Sequence, residues 1–209
     1  VKDRLVGKHL WIFPKSSIFL INEQWFEHSL QEAFPRIETI VVKRDSFHGL
    51  KIVIKEFEAL YLWCSHSDED CYFMDKQGVV YSKAPVFSGT AYPKIIVDAE
   101  VQQLPFQGMV LSEVERISEL ESRLSEINIT PTAFSYSSPR EIRIDFLHNK
   151  TIATIQIDRA TPTQTSLEYI FSGIRTEPLS SLFHNPEKKL LYIDVRFPSK
   201  VVYKFDTNE

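Results

Sequence analysis

The C-terminal residues 190–205 carry the strongest pattern in this chain, since two short runs there alternate apolar with polar side chains. In the first run the apolar residues are Leu191, Ile193, Val195 and Phe197, and the polar residues between them are Tyr192, Asp194 and Arg196. This period of two is typical of a strand with one buried face. Pro198 and Ser199 predict a turn, and Val201–Phe205 a second strand. Because few residues follow, this last strand is expected at a sheet edge, where another chain could pair with it.

Composition predicts a globular protein. The chain has 209 residues, 43% hydrophobic and 12% aromatic, which suffices for one or two domains with a buried core. A net charge of -4 without a cluster of basic residues argues against a nucleic-acid partner. No apolar stretch approaches the ~20 residues of a membrane-spanning helix. Since the chain begins with Val1 rather than methionine, we expect it to be a processed or trimmed fragment, in which an upstream targeting or anchoring segment would not be visible.

The first segment, from Val1 to about Cys64, predicts a compact mixed module. Asn22 is placed to cap a helix whose apolar positions recur at helical spacing: Phe26, Leu30, Ala33 and Phe34. Two strands are expected after it, at Ile37–Arg44 and Leu50–Glu56. An amphipathic opening, Val1–His9, and a short strand, Leu10–Phe13, are predicted before it.

The remainder predicts a strand-rich domain. Cys71–Asp75 and Val79–Tyr81 are expected to form a hairpin that turns at Gly78, and Glu141–Leu147 and Thr151–Ile157 a second hairpin. A helix is predicted from a Ser112/Glu115 capping box, with a stripe formed by Val114, Ile117, Leu120, Leu124 and Ile127. Another is predicted from Thr165 to Gly173. The fold class is therefore predicted as α+β, an antiparallel or mixed sheet with helices on one side. The domains are predicted as residues 1–66 and 67–206.

Residues that carry chemistry show no recognisable spacing. The six glycines are scattered and form no phosphate-binding loop, the six histidines have no metal-ligand spacing, and there is no Gly-x-Ser-x-Gly elbow. The sequence therefore predicts no catalytic residues, no cofactor, no metal site and no enzymatic activity. A small extracellular hydrolase whose site forms only on folding is the least favoured class.

Cys64 and Cys71 enclose an acidic stretch, Ser65–Asp70, and three interpretations are open. A cross-strand disulfide suits hairpin partners in an oxidising compartment. Cys64, His66 and Cys71 have the ligand types of zinc, although their spacing matches no usual zinc knuckle. Two reduced, half-buried thiols are the third interpretation.

Several motifs together resemble one family. Tyr192–Phe197 followed by Lys200–Lys204 resembles the C-terminal signature of the FtsQ/DivIB bacterial cell-division proteins. Asp75–Gly78 and Tyr92–Ile96 stand, in the same order, where that family has a hairpin and an aromatic-proline stretch. Toward the N terminus, three short segments resemble the POTRA module that opens the extracytoplasmic part of these proteins: Gly7-Lys8, Phe34–Ile37 and Leu50–Glu56.

The resemblance implies a POTRA-like domain at 1–66, a β domain at 67–206, and attachment to the cell membrane by one upstream helix, with this part extracytoplasmic. It implies a non-enzymatic role in assembling the divisome at the septum, by binding FtsB and FtsL through the last strand, and no small-molecule substrate. The partner-binding residues carried over by motif are Arg196, Phe197, Ser199, Lys200, Val201, Val202, Tyr203 and Lys204. The alternative is a POTRA-containing protein of an outer-membrane assembly or secretion system.

Overall fold

The computed structural model describes residues 8–9, 13–14, 22–46, 49–66, 70–87 and 89–206. The chain divides into two compact units, Val1–Glu58 and Ala59–Glu209. The elements of the first unit are β1 (Lys8–His9), β2 (Phe13–Pro14), α1 (Glu23–Ala33), β3 (Ile37–Ser46) and β4 (Gly49–Glu56). The predicted opening Val1–His9 and strand Leu10–Phe13 lie largely outside the described residues. The predicted helix and the two strands after it are confirmed.

In the first unit, α1 packs on the β3–β4 hairpin. The Asn22 Oδ1 accepts a hydrogen bond from the Trp25 N–H at 3.0 Å, which is the predicted N-terminal cap. Phe26 and Leu30 of the helix contact a small core in β3, formed by Ile37, Ile40 and Val42. The predicted inward position of Phe34 is wrong, because the helix ends at Ala33 and the Phe34 side chain is 54% exposed.

The second unit is built on one large mixed sheet. Its elements in chain order are β5 (Tyr61–Ser65), β6 (Cys71–Met74), β7 (Val79–Lys83), β8 (Lys94–Val97), β9 (Phe106–Gln107), α2 (Leu111–Ser125), β10 (Pro131–Ser138), β11 (Glu141–His148), β12 (Thr151–Asp158), α3 (Thr163–Arg175), α4 (Leu179–Phe183), β13 (Leu190–Phe197) and β14 (Lys200–Phe205). The ten strands have the order β14-β13-β12-β11-β10-β8-β5-β6-β7-β9. β8 pairs in parallel with β5 and β10, and β12 with β13. The predicted α+β class is confirmed.

The core of this unit lies between the sheet and its helices. It includes Ile142, Phe146, Ala153, Ile155 and Ile193 from the strands, and Val114, Ile117, Leu120, Leu124, Leu167, Ile170, Ile174 and Leu179 from the helices. The predicted stripe of α2 is thus buried from Val114 to Leu124, whereas Ile127 lies beyond the end of the helix and is half-buried. The predicted capping box is wrong, because α2 begins at Leu111 and Val110 caps it with no side-chain hydrogen bond. No helix in the described ranges has the length and apolar character needed to cross a membrane.

The predicted domain boundary after residue 66 lies too late in the chain. β5 was assigned by sequence to the first segment, but it lies inside the large sheet, between β8 and β6. Its side chains Tyr61, Leu62 and Trp63 are all buried in the second unit. The unit therefore begins at Ala59, because a central strand cannot be separated from the sheet whose ladder it completes.

We expect limited proteolysis to cut between Phe57 and Leu60 and to release a stable fragment that starts near Ala59. The Phe57 N–H bonds to Arg36 in the first unit and the Leu60 N–H to Met74 in the second, so the residues between them are the joint. Mass spectrometry of the fragments tests this. A stable fragment that begins only after Cys64 would contradict it, because the sheet would then tolerate the loss of β5.

Cys64 and Cys71 form a disulfide between β5 and β6. They are directly opposite in the antiparallel register, with their Cα atoms 4.1 Å apart. Both are buried, and Leu62, Phe73 and Tyr92 pack around them on one face of the sheet. The disulfide interpretation is therefore confirmed. The zinc and free-thiol interpretations are wrong, since a disulfide leaves no thiolate for a metal.

We expect Cys64→Ala/Cys71→Ala to lower the free energy of unfolding by about 2–3 kcal/mol, because the bond closes a short loop in the unfolded chain. Urea denaturation measures this loss. As a control, the unmodified protein in excess reductant is expected to lose the same amount and the double variant to lose nothing further. Two thiols titrating in unreduced, denatured protein would contradict the disulfide.

Candidate interaction site at the C-terminal edge strand

β14 forms one edge of the large sheet. It pairs antiparallel with β13 on one side, and β13 continues to β12, so no described strand covers its other side. The predicted C-terminal strand pair and the predicted edge position are confirmed. The predicted partner-binding residues, Arg196 to Lys204, lie together here. They occupy the C-terminal end of β13, the connecting turn at Ser199 and β14 itself.

The predicted alternation of β13 holds only in its centre. Ile193 and Val195 are buried, but Leu191 and Phe197 are 39% and 49% exposed. The register with β14 shifts between Leu190 and Tyr192 and again between Asp194 and Phe197. Each extra residue in a bulge reverses the face on which the following side chains lie. The bulges therefore place Leu190 in the core and expose the Phe197 ring.

The outward backbone groups of β14 belong to its odd-numbered residues. The Asp206 N–H donates to the Lys189 carbonyl at 2.8 Å, so at this position the chain directs its N–H toward β13. Both bulges lie on β13 and β14 itself is regular. Since hydrogen-bonding direction alternates along a strand, Val202 and Lys204 also direct their N–H groups inward. Val201, Tyr203 and Phe205 direct theirs outward.

A groove runs beside this edge, between β14 and the helices. Its volume is about 280 Å³, and it is lined by Ser172, Gly173, Thr176, Glu177, Pro178, Leu179, Val201 and Tyr203. This is close to the lower limit of about 300 Å³ for small-molecule pockets. A groove of this size next to a free strand edge is suited to side chains of a paired peptide.

Gly173 is what allows α3 to lie so close to the edge strand. A Cβ atom at this position would lie 3.0 and 3.1 Å from the two methyl carbons of Val201. Gly173 was predicted to end the helix, but α3 continues to Arg175, so its role is close packing rather than termination. The helix α4, whose Leu179 also lines the groove, was not predicted from the sequence, because its five residues give too short a periodicity to recognise.

The Arg196 guanidinium donates hydrogen bonds to carboxylates of the same sheet. Its Nε and Nη2 donate to the two carboxylate oxygens of Asp194 at 2.9 and 2.6 Å, and its Nη1 donates to Glu141 on β11. Such a two-pronged arrangement is the strong geometry of arginine with a carboxylate. The Asp194-x-Arg196 part of the C-terminal motif therefore links β13 to β11. Its stabilising role is structural, and a direct role of Arg196 in partner binding stays a prediction.

The charge of Asp194 depends on this pair. Burial is the largest single influence on the pKa of Asp194 and raises it, because burial disfavours the charged carboxylate. Arg196 acts in the opposite direction through its side-chain hydrogen bonds, its backbone hydrogen bond and its positive charge, and these three effects together outweigh burial. The net effect lowers the pKa of Asp194 below its ordinary value. A carboxylate with a lowered pKa stabilises the fold at neutral pH and loses that contribution in acid.

The remaining predicted residues leave groups available to a partner. The Phe197 ring is half exposed, with the Arg196 guanidinium carbon 5.9 Å from its centre. Lys200 and Lys204 are exposed, and neither forms an ion pair with any described residue. Tyr203 and Val201 instead pack partly against the core. The edge thus combines free backbone groups, one accessible ring and unpaired positive charge.

Elsewhere in this unit, several polar side chains bond to other side chains of the fold. The Tyr61 hydroxyl donates to Glu121 on α2 at 3.2 Å, and burial raises the pKa of Glu121. The His66 Nδ1 lies 2.6 Å from an Asp98 oxygen. Within the described ranges, no three His, Cys, Asp or Glu side chains are grouped so that they could hold a metal ion.

Comparison with known proteins gives no family for this chain. No protein-family model matches it, and no curated protein sequence matches it either. What the edge can do is therefore inferred from its own geometry and charge, together with the C-terminal sequence motif.

Proposed function

We propose that this chain is the extracytoplasmic part of an FtsQ/DivIB-like protein, a non-enzymatic scaffold of bacterial cell division. In this proposal residues of the first unit form a POTRA-like domain and the second unit is the β domain. An upstream helix anchors the protein in the cell membrane. The partners are FtsB-like and FtsL-like proteins, bound when one of their segments adds a strand to β14.

The observation that carries the proposal is the position of β14 at the sheet edge. The residues of the C-terminal motif lie on β13, on the turn after it and on β14. Main-chain hydrogen bonds to Val201, Tyr203 and Phe205 would supply affinity, and side chains alternating into the adjacent groove would supply selectivity. The neighbouring lysines favour a partner segment that carries carboxylates, since complementary charge speeds encounter and fixes register.

A binding measurement with a soluble FtsB/FtsL-type fragment from the same organism tests the function. We expect the unmodified chain to bind it and Phe197→Ala to bind about tenfold more weakly, because an exposed aromatic side chain near an interface centre often contributes more than 1 kcal/mol. The ring is half exposed, so the variant should remain folded by circular dichroism.

Val86→Ala provides the matched control, because Val86 is also apolar, its side chain is 95% exposed, and it lies in the segment before β8. It is expected to bind like the unmodified chain. If the unmodified chain does not bind the fragment, or if both variants weaken binding equally, the proposed partner or the proposed surface is wrong.

A further inference from the structure

An exposed apolar pair lies on the face of the sheet opposite the helices. Leu147 on β11 and Ile152 on β12 are directly opposite in the antiparallel register, and their side chains are 59% and 67% exposed. Their neighbours Phe146 and Ala153 are buried in the core beneath the helices. Since successive side chains of a strand alternate between faces, Leu147 and Ile152 share the open face.

The bulge in β13 adds a third aliphatic side chain to this face. Leu190 and Ile193 both point into the core, so the two residues between them, Leu191 and Tyr192, lie on the open side. β13 is paired with β12 in this region, where Tyr192 is aligned with Thr154. Leu191 is 39% exposed. Three neighbouring strands thus each present one exposed aliphatic side chain.

Positive charge borders these side chains. Lys150 lies in the turn between β11 and β12, and Lys204 of β14 is directly opposite Tyr192. Both are exposed, and neither forms an ion pair with a described residue. Two carboxylates lie close by in the chain: Asp145 on β11 accepts a hydrogen bond from Thr154 at 2.7 Å, and Asp206 follows Lys204 by two residues. We call Leu147, Ile152, Leu191, Lys150 and Lys204 the basic apolar patch. It contrasts with the net charge of -4 of the whole chain.

We propose that the basic apolar patch binds an acidic amphipathic segment of the same partner chain that pairs with β14. This proposal rests on the proposed function. Aliphatic side chains of that segment cover Leu147, Ile152 and Leu191, and its carboxylates face Lys150 and Lys204. Charge complementarity selects an acidic segment, and unpaired lysines at a rim act mainly on encounter and register.

The patch is within reach of a strand added to the edge. Strands are spaced about 4.8 Å apart, so β12 lies about 14 Å from a strand paired on β14. About five extended residues span that distance. A partner that turns around the edge can therefore occupy both surfaces without a long linker, and the second contact raises the overall affinity through effective concentration.

Photo-crosslinking in the cells that produce the full-length protein tests this. p-Benzoyl-phenylalanine is introduced at Ile152 in the patch, at Val202 on the edge strand, and at Val86 as an exposed control. We expect positions 152 and 202 to form adducts with the same protein, identified by mass spectrometry, and we expect no adduct at position 86.

Charge reversal in the patch tests the role of its lysines. Lys150→Glu/Lys204→Glu is expected to lower the adduct yield at position 152 at least about fivefold, since it reverses the complementary charge. Lys51→Glu/Lys76→Glu, which changes the net charge equally at exposed lysines outside the patch, is expected to leave that yield unchanged.

The outcomes separate this inference from the proposed function. If positions 152 and 202 capture one shared protein that is not a cell-division protein, the patch stands and the proposed function is wrong. If position 152 captures a second copy of this chain, lipid, a different protein from position 202, or nothing, the patch proposal is wrong. If position 202 captures nothing, strand addition and the shared-partner patch both fail.

Discussion

Tyr203→Pro is expected to lower the affinity for an FtsB/FtsL-type fragment by about a hundredfold or more, because proline removes an outward backbone donor and interrupts the ladder that a partner strand would form. The Tyr203 N–H is assigned to the outer side of β14 from the inward bond of Asp206. Proline is tolerated at a sheet edge when its missing N–H faces away from the sheet. The variant should therefore stay folded.

Tyr203→Ala is the matched control, since both substitutions remove the same ring from the groove and only proline removes the donor. The difference in affinity between these two variants isolates the backbone contribution. Val202→Pro is expected to act differently, because the Val202 N–H faces β13 and its loss breaks pairing within the protein. Equal affinities for Tyr203→Pro and Tyr203→Ala, in folded protein, would show that the partner does not pair with this edge.

Arg196→Ala is expected to lower the free energy of unfolding by about 3 kcal/mol, because it leaves the buried Asp194 carboxylate without its cation and removes one of the two cations that pair with Glu141. Asp194 is 5% and Glu141 9% exposed, so water compensates them poorly. Arg143 gives a matched control. It also pairs with Glu141, but its own side chain is 52% exposed, and Arg143→Ala should cost less than about 1 kcal/mol. Similar losses for the two variants would contradict a special role for the Asp194–Arg196 pair.

The same pair predicts a pH dependence. The folded pKa of Asp194 lies below its unfolded value near 3.8, so its contribution is complete above that value and is lost as the pH falls through the lowered folded pKa. Arg196→Ala removes the cause of the lowering, and its loss of stability should therefore shrink as the pH falls below about 4. Urea denaturation at several pH values measures this. A difference from the unmodified protein that stays constant down to strongly acidic pH would contradict it.

Local sequence determined the elements whose signals are short-range. The hairpin at Gly78 follows from a residue with a positive φ of 83°, and the stripe of α2 from its helical periodicity. The last two strands follow from alternation and from the turn residues between them. The edge position of β14 was also predicted, and among the described strands none pairs with its outer side. These features require no knowledge of distant contacts.

Tertiary structure alone decided how those elements combine. β5 belongs to the second unit because it pairs with β6 and β8, partners that its own residues do not specify. β10 was not predicted, because its sequence Pro131–Ser138 is mostly small and polar and becomes a strand only between β8 and β11. Bulges in β13 reversed the faces of Leu191 and Phe197, and only close packing on Val201 explains Gly173. Each of these depends on residues far apart in the chain, whose mutual distances a local pattern does not contain.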